Sequence, residues 1–207
     1  MNPGLINLSN LANLSNNLKK SVTNALLNNF KHNISRNLYS LPSPNECRRQ
    51  LSKSIQDLVK DYSSVTNIDL QWGEQDAFGH LNNASFLRFF ESGRIAFYEQ
   101  LIDPALSKDS QFGHGITKIG PIVKTVNCNY KLPVTYPDNI CVATRVPISG
   151  IGKDRYTVEA IMVSRKLEKI VAKSEVVVVT YDYRIGKKAE IPSDYKKILI
   201  NLEKNRK

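Results

Sequence analysis

The sequence has 207 residues, of which 41% are hydrophobic and 23% are charged, and its formal net charge is +10. This length favours one domain with an appended segment, and a body of about 150 residues would bury roughly two-thirds of its unfolded surface. No apolar run approaches the roughly 18 residues that a membrane-spanning helix needs, so the sequence predicts no membrane span.

The positive charge lies at the two ends of the chain. Residues 1–45 carry a net charge of +4, residues 184–207 carry +5, and only +1 is left for residues 46–183. A nucleic-acid-binding surface needs basic residues clustered on the folded body. The distribution of charge therefore argues against a nucleic-acid partner.

The three cysteines, Cys47, Cys128 and Cys141, form no C-x-x-C pair and no spacing with histidine that suits a metal ion. Their odd number, in a chain that does not resemble a small secreted scaffold, favours reduced thiols. Cys128 and Cys141 lie in apolar strand-like runs, so we expect small buried apolar side chains there and no metal site.

Residues 1–45 are rich in Asn, Leu and Ser and contain no acidic residue. Between Leu11 and Phe30 apolar residues recur at helical spacing, while Lys19 and Lys20 lie on another face. A basic amphipathic start is typical of a mitochondrial transit peptide, which predicts a location in the mitochondrion, in the matrix. A disordered Asn-rich tail is the alternative. Two prolines near the end of this segment predict the domain boundary there.

After this boundary the hydrophobic spacing predicts a helix over residues 46–62 and a strand over residues 64–71. The strongest helical pattern runs from Asn83 to Leu101, with a stripe of apolar residues on one face and Asn82 or Asn83 as its N-cap. Four strands rich in β-branched and aromatic residues follow. They are expected at 115–132, 139–147, 154–165 and 169–183.

This order of elements predicts an α+β fold in which a strongly curved antiparallel sheet wraps around one long central helix. One sheet face and the apolar stripe of the helix would bury each other. The domain is expected to cover residues 46–195. Residues 196–207 are expected to form a basic C-terminal tail, with room for a short basic helix.

The candidate chemistry lies in residues 72–83, between the first strand and the long helix. Asp76, His80, Asn82 and Asn83 place four polar side chains within eight residues at the helix start. Unpaired N–H groups and the positive dipole end can stabilise an oxyanion there. A neighbouring carboxylate can activate water or attack a carbonyl directly. A loop that only caps the helix would use the same residue types, so both interpretations stay open.

The run D-A-F-G-H-x-N-N-A-x-F-x-x-x-F-E-x-x-R, which begins at Asp76, resembles the signature of the 4-hydroxybenzoyl-CoA thioesterase-like branch of the hotdog superfamily. Downstream, Y-x-x-P from Tyr130 and Y-P-D from Tyr136 resemble the turn that joins two strands in that family. The resemblance covers about residues 65–195 of this chain. Its first motif is specific because many positions match at fixed spacing.

The resemblance implies a hotdog fold, assembled as a homodimer or homotetramer with sites at the subunit interface. It implies hydrolysis of an acyl-CoA substrate to a free acid and coenzyme A, with no metal or other cofactor. Asp76 maps to the family's catalytic aspartate, as nucleophile or general base, and His80 to the active-site loop. Backbone N–H groups near Asn83 and Ala84 would hold the thioester carbonyl, and Asn82 belongs to the same substrate-binding set.

Two residues depart from the family pattern. Some relatives carry a histidine where this chain has Asn83, and many carry an aspartate at the position of Glu74. Asn83 cannot transfer a proton as histidine can, so an N-cap role suits it equally well, and Glu74 is expected to support the loop. The alternative function is therefore a non-catalytic hotdog module that binds acyl groups or coenzyme A, or a structural subunit of a mitochondrial assembly.

Three further expectations concern residues outside the motif's chemistry. Glu91 and Arg94 are expected to pair along the helix at i, i+3 spacing. Trp72 is expected to act as a packing anchor, with a pocket wall as the other option. His114 is expected to be a loop residue without a catalytic role.

Overall fold

The computed structural model of this chain describes residues 42–113 and 117–206. The predicted transit segment, except for its last four residues, lies outside the described residues. The same is true of His114 and of the first two residues of the strand predicted from position 115.

The described part of the chain contains four α-helices and six β-strands. The helices are α1 (Pro44–Arg49), α2 (Lys53–Val59), α3 (Asn83–Phe97) and α4 (Ser193–Lys204). The strands are β1 (Ser64–Asp69), β2 (Ile119–Tyr130), β3 (Asn139–Arg145), β4 (Arg155–Ser164), β5 (Lys169–Asp182) and β6 (Lys187–Lys188). The first five strands lie inside the predicted ranges. Among the described helices, none has the length and hydropathy needed to cross a membrane.

The strands form one antiparallel sheet in the order β1-β3-β4-β5-β2, and β6 pairs with the end of β5. The longest pairing joins β2 and β5, from Ile119 opposite Asp182 to Tyr130 opposite Ala172, with a bulge after Val123. Strands β1 and β2 are therefore the two edges of the sheet.

Helix α3 packs against one face of the sheet along its predicted apolar stripe. Phe86, Phe90 and Phe97 are all buried. Gly93 lies on the same side, where an added Cβ would stand only 2.4 Å from Cγ1 of Val142 on β3. The absence of a side chain at Gly93 thus lets α3 approach the sheet closely. The prediction of a sheet wrapped around one long helix is confirmed.

The opposite face of β1, β3 and β4 is covered by α1 and α2. Because successive strand residues point to opposite faces, Cys141 and Ala143 pack under these helices, while Ile140 and Val142 pack with α3. The single helix predicted over residues 46–62 is in fact two helices. Ser52 interrupts it and caps α2, with its Oγ accepting from a backbone N–H one turn later.

Helix α4 belongs to the core, and the predicted boundary between domain and tail falls inside it. Tyr195 and Leu199 are fully buried, and the Tyr195 ring stacks on Phe112 with 3.6 Å between centroids. The Tyr195 hydroxyl donates to the Tyr156 hydroxyl at 2.8 Å, which is 2.6 Å from the hydroxyl of Tyr98. The residues expected as a basic tail are therefore part of a packed helix. The lysines allow this packing because they lie only on the outer side of the helix.

All three cysteines are free. Cys141 is buried, as predicted, whereas Cys128 is only half-buried because it lies on the edge strand β2. Cys47 is buried as well.

Candidate active site

The loop between β1 and α3 is fixed at both ends by backbone hydrogen bonds. Close to the helix, the Asn82 N–H donates to the Glu74 carbonyl at 2.9 Å, and the Leu81 N–H donates to the Val134 carbonyl at 2.8 Å. The Glu74 carboxylate accepts from the Gln71 N–H at 2.8 Å. Glu74 therefore supports the loop through both its backbone and its side chain.

Asp76 lies inside this loop and is half-buried. Its Oδ1 accepts hydrogen bonds from the N–H groups of Phe78 at 2.8 Å and His80 at 3.2 Å. Gly79, with a φ of +73°, closes the turn. Oδ2 of Asp76 receives no hydrogen bond from any described residue. One carboxylate oxygen thus holds the turn together, and the other stays available to a substrate.

The start of α3 is capped by Asn82. Its Oδ1 accepts from the Ala84 N–H at 2.9 Å, so the Ala84 amide, expected to hold a substrate carbonyl, is already occupied. The N–H of Asn83, the first helical residue, has no acceptor among residues 42–113 and 117–206. Of the two donors implied by the resemblance, the Asn83 N–H is the one left open at the positive end of the helix dipole.

Asp76, His80 and Asn83 line one shared pocket of about 280 Å³. Asn82 and Ala84 lie beside it without lining it. The pocket wall also includes Leu81, Phe86, Tyr130, Lys131, Leu132 and Pro133. The last four of these were not predicted as site residues. The Y-x-x-P motif was their only signal, and it indicated a turn between strands.

An aromatic pair forms one side of this pocket. The rings of Phe86 and Tyr130 meet edge to face, with 5.2 Å between centroids. The Tyr130 hydroxyl donates to the Asn83 carbonyl at 3.3 Å. Partial burial raises the pKa of Tyr130. The edge strand β2 is thereby tied to the start of α3.

Other predictions have mixed outcomes. Glu91 and Arg94 pair at 3.4 Å, as predicted. Trp72 is 73% exposed, so the prediction that it anchors packing within this chain is wrong. It lies in a single 3-10 turn, Trp72–Glu74, that has no buried residue. Within the described ranges, His, Cys, Asp and Glu side chains form no cluster of three or more that could hold a metal ion.

A curved antiparallel sheet around one central helix, with a polar loop at the helix start, defines an α+β protein of the hotdog class. A family model described as the Thioesterase-like superfamily matches residues 70–199, and the chain belongs to that superfamily. The match includes the candidate site and most of α4. Helices α1 and α2 and strand β1 precede it.

Solved structures with the same fold share little sequence with this chain. A thioesterase superfamily protein from Jannaschia sp. CCS1 is 19% identical, with a TM-score of 0.62, covering 80% of this chain and 95% of that one. A Thermus thermophilus thioesterase complexed with coenzyme A and Zn is 21% identical, with a TM-score of 0.56 and coverage of 70% and 97%. A DHNA-CoA thioesterase from Staphylococcus aureus is 18% identical, with a TM-score of 0.55 and coverage of 68% and 91%. Among curated proteins, none matches this chain.

Proposed function

We propose that this protein hydrolyses an acyl-CoA thioester to a free acid and coenzyme A. One observation carries the proposal: Asp76, whose Oδ2 has no hydrogen-bond partner among the described residues, and the helix-start residue Asn83 line the same pocket. A nucleophile or base and an oxyanion donor are the two groups that acyl transfer requires. Membership of the Thioesterase-like superfamily supports the reaction type. The Thermus thermophilus structure, which contains coenzyme A, supports the substrate class.

In the proposed reaction, water is added across the C–S bond. Asp76 Oδ2 either removes a proton from the attacking water or attacks the carbonyl carbon itself to form an anhydride, which water then opens. The Asn83 N–H stabilises the oxyanion, and coenzyme A leaves as a thiolate that takes up a proton. His80 positions the carboxylate through its backbone. When water opens the anhydride at the Asp76 carbonyl carbon, single-turnover hydrolysis in H₂¹⁸O places an unlabelled Asp76 oxygen in the first acid formed and leaves ¹⁸O on Asp76, whereas the general-base route places ¹⁸O in the acid.

Hydrolysis by this route uses water alone, and we propose that it requires no metal or other cofactor. Treating the enzyme with EDTA should leave the rate unchanged. A rate that EDTA abolishes and added zinc restores would contradict this part of the proposal.

We also propose that a second copy of the chain completes the site, in a homodimer or homotetramer. The β2 edge is long and leaves Val126 and Tyr130 uncovered, at 49% and 43% exposure, and Leu132 just after the strand is 37% exposed. Phe78 and Trp72, in the loop that holds Asp76, are 85% and 73% exposed. An unpaired edge strand and exposed apolar groups favour association.

The proposed location is the mitochondrial matrix, on the basis of the basic amphipathic residues 1–45. A fluorescent protein fused behind residues 1–45 should accumulate in mitochondria. A diffuse cytosolic signal would contradict the proposal.

One specific observation favours the non-catalytic alternative. Asp76 Oδ1 and the Ala84 N–H are both engaged in bonds that a purely structural loop would need. A binding module or a structural subunit would be stabilised by coenzyme A without turning over any thioester. Stable co-purification with a large mitochondrial complex would favour the structural role.

The test is a hydrolysis screen with the full chain over short, long and aromatic acyl-CoA substrates, detecting the free thiol released. At least one substrate should be hydrolysed well above its spontaneous rate. Thermal stabilisation by coenzyme A with no turnover across the panel would favour the non-catalytic alternative.

A further inference from the structure

A second and larger cavity, of about 490 Å³, lies beyond the C-terminal end of α3. It is an open cleft lined by α1, by the connection from α2 to β1, by the segment after α3 and by α4. Its lining residues include Arg48, Leu101, Ala105, Ile198, Leu202 and Arg206. None of these lines the pocket at Asp76, and no aspartate or glutamate is among them.

Arg48 brings an uncompensated positive charge to this cavity. Its guanidinium is half-buried and donates to two backbone carbonyls, that of Val59 at 2.9 Å and that of Tyr62. Within the described part of the chain it has no carboxylate partner. Burial accordingly lowers the pKa of Arg48. A buried charge without a counter-ion is unfavourable, so an anion in the cavity would stabilise this arrangement.

Arg206 lines the same cavity from the end of α4. Its Nη1 donates to the Asp61 carbonyl at 2.7 Å, and its Nε donates to the Glu203 carbonyl at 3.0 Å. The Glu203 carboxylate is 3.1 Å from Nη1. A guanidinium has five N–H donors, so both arginines keep donors free after these bonds are made. Their backbone partners hold the guanidinium groups in place before any ligand arrives.

The remaining wall is largely apolar. Leu101 and Ala105 contribute from the segment after α3, and Ile198 and Leu202 from one side of α4. Arginine is the residue best suited to bind a carboxylate through paired hydrogen bonds. A ligand that suits both parts of the wall has one carboxylate and a hydrocarbon portion.

We propose that this cavity is a binding site for a small aliphatic carboxylic acid, with the carboxylate at Arg48 and Arg206 and the tail against Leu101 and Leu202. The site is separate from the proposed hydrolytic centre and does not depend on it. Its ligand has the chemistry of the acid that thioester hydrolysis releases.

Octanoate, 1-octanol and acetate, titrated into the full chain by calorimetry and thermal shift, test the two parts of this ligand separately. Octanoate should bind and raise the melting temperature. Octanol lacks the charge and acetate lacks the tail, so each should bind at least about tenfold more weakly. Equal binding of octanoate and octanol, equal binding of octanoate and acetate, or no binding of octanoate would each overturn the proposal.

Variants locate the octanoate. Arg48→Gln should raise its Kd at least about tenfold through loss of the charged hydrogen bonds. Because Arg48 also holds two carbonyls, Asn201→Trp provides a second variant: Asn201 is exposed, and an indole there would fill the cavity while leaving both arginines in place. Asp76→Asn should leave octanoate binding unchanged. Octanoate binding that survives Asn201→Trp unchanged would place the ligand outside this cavity and refute the proposal.

Discussion

The two carboxylate oxygens of Asp76 differ in their contacts. Oδ1 closes the turn through the N–H groups of Phe78 and His80, whereas Oδ2 accepts no hydrogen bond from a described residue, and Asp76 lines the pocket. The sequence indicated that a carboxylate stood near a helix start. It could not show which oxygen would be engaged, because that depends on the turn closed by Gly79.

The N-cap of α3 is a second feature that the sequence alone did not determine. From the sequence, either Asn82 or Asn83 could have been the N-cap. In the structure Asn82 is the N-cap. Its side chain accepts a hydrogen bond from the Ala84 N–H, and the Asn83 N–H has no acceptor among the described residues. A shift of one residue in the helix start changes which amide can meet a substrate, and local pattern does not determine that shift.

Gly93 yields a stability prediction in which steric contact opposes helix propensity. Gly93→Ala should gain about 1 kcal/mol in helix propensity. The new Cβ would lie 2.4 Å from Cγ1 of Val142, and overpacking of this kind costs about 1–3 kcal/mol or more. We expect a net loss in the free energy of unfolding, measured by urea denaturation. Ser92→Ala, at an exposed position on the same helix, is the control and should not destabilise; a stabilised Gly93→Ala would contradict the close packing.

The buried hydroxyl of Tyr98 gives a prediction for stability against pH. Burial raises the pKa of Tyr98 to about 12, above the value of about 10 in the unfolded chain. The neutral phenol thus contributes stability that is complete below pH 10 and lost between about pH 10 and 12. Tyr98→Phe should reduce the loss of unfolding free energy over this range, whereas Tyr136→Phe, at an exposed position, should not. Identical pH profiles for Tyr98→Phe and the wild type would contradict the assignment.

At the scale of elements, α4 was the least well predicted. Its lysines suggested a solvated tail, and the apolar spacing of Tyr195, Leu199 and Leu202 was too short to stand out. Tertiary contacts hold α4 in place: the stacking of Tyr195 on Phe112 joins segments more than eighty residues apart. No local pattern contains that contact.

Leu199→Ala tests whether α4 is part of the core. Leu199 is fully buried, and removing a buried leucine side chain costs about 2–5 kcal/mol. The free energy of unfolding should fall by this amount. Lys197→Ala, on the exposed side of the same helix, should change it by less than about 0.5 kcal/mol. Equally small changes in the free energy of unfolding for both variants would show that α4 is not part of the core.

At the scale of the whole molecule, the order of elements was predictable because strand alternation and helical spacing are strong signals over long segments. The five long strands and α3 all followed from it. The cover formed by α1 and α2 was not predictable, because a short amphipathic helix does not reveal which sheet face it will bury. The pocket wall at Tyr130 and Lys131 also required tertiary structure, since β2 reaches α3 only after the sheet has formed.

The proposed assembly predicts the effect of a charge on the β2 edge. Val126→Asp should convert the oligomer to a monomer in sedimentation velocity and abolish hydrolysis, because the site loses its partner. The isolated chain should stay folded, since Val126 is 49% exposed. Ile185→Asp, at a position 65% exposed in the turn after β5, should change neither property. A Val126→Asp protein that is monomeric and fully active would contradict completion of the site by a second copy.

The central claim is that the Asp76 carboxylate performs the chemistry, and Asp76→Asn tests it most directly. An asparagine side chain can still accept the two N–H bonds that hold the turn, so the loop should persist while the charge is lost. For the best acyl-CoA substrate, kcat should fall by about 100-fold or more, with the Kd for coenzyme A unchanged. Asp57→Asn, at an exposed ion pair on α2, should keep the wild-type kcat. Equal kcat values for the Asp76→Asn and wild-type proteins would show that the carboxylate is only a turn residue.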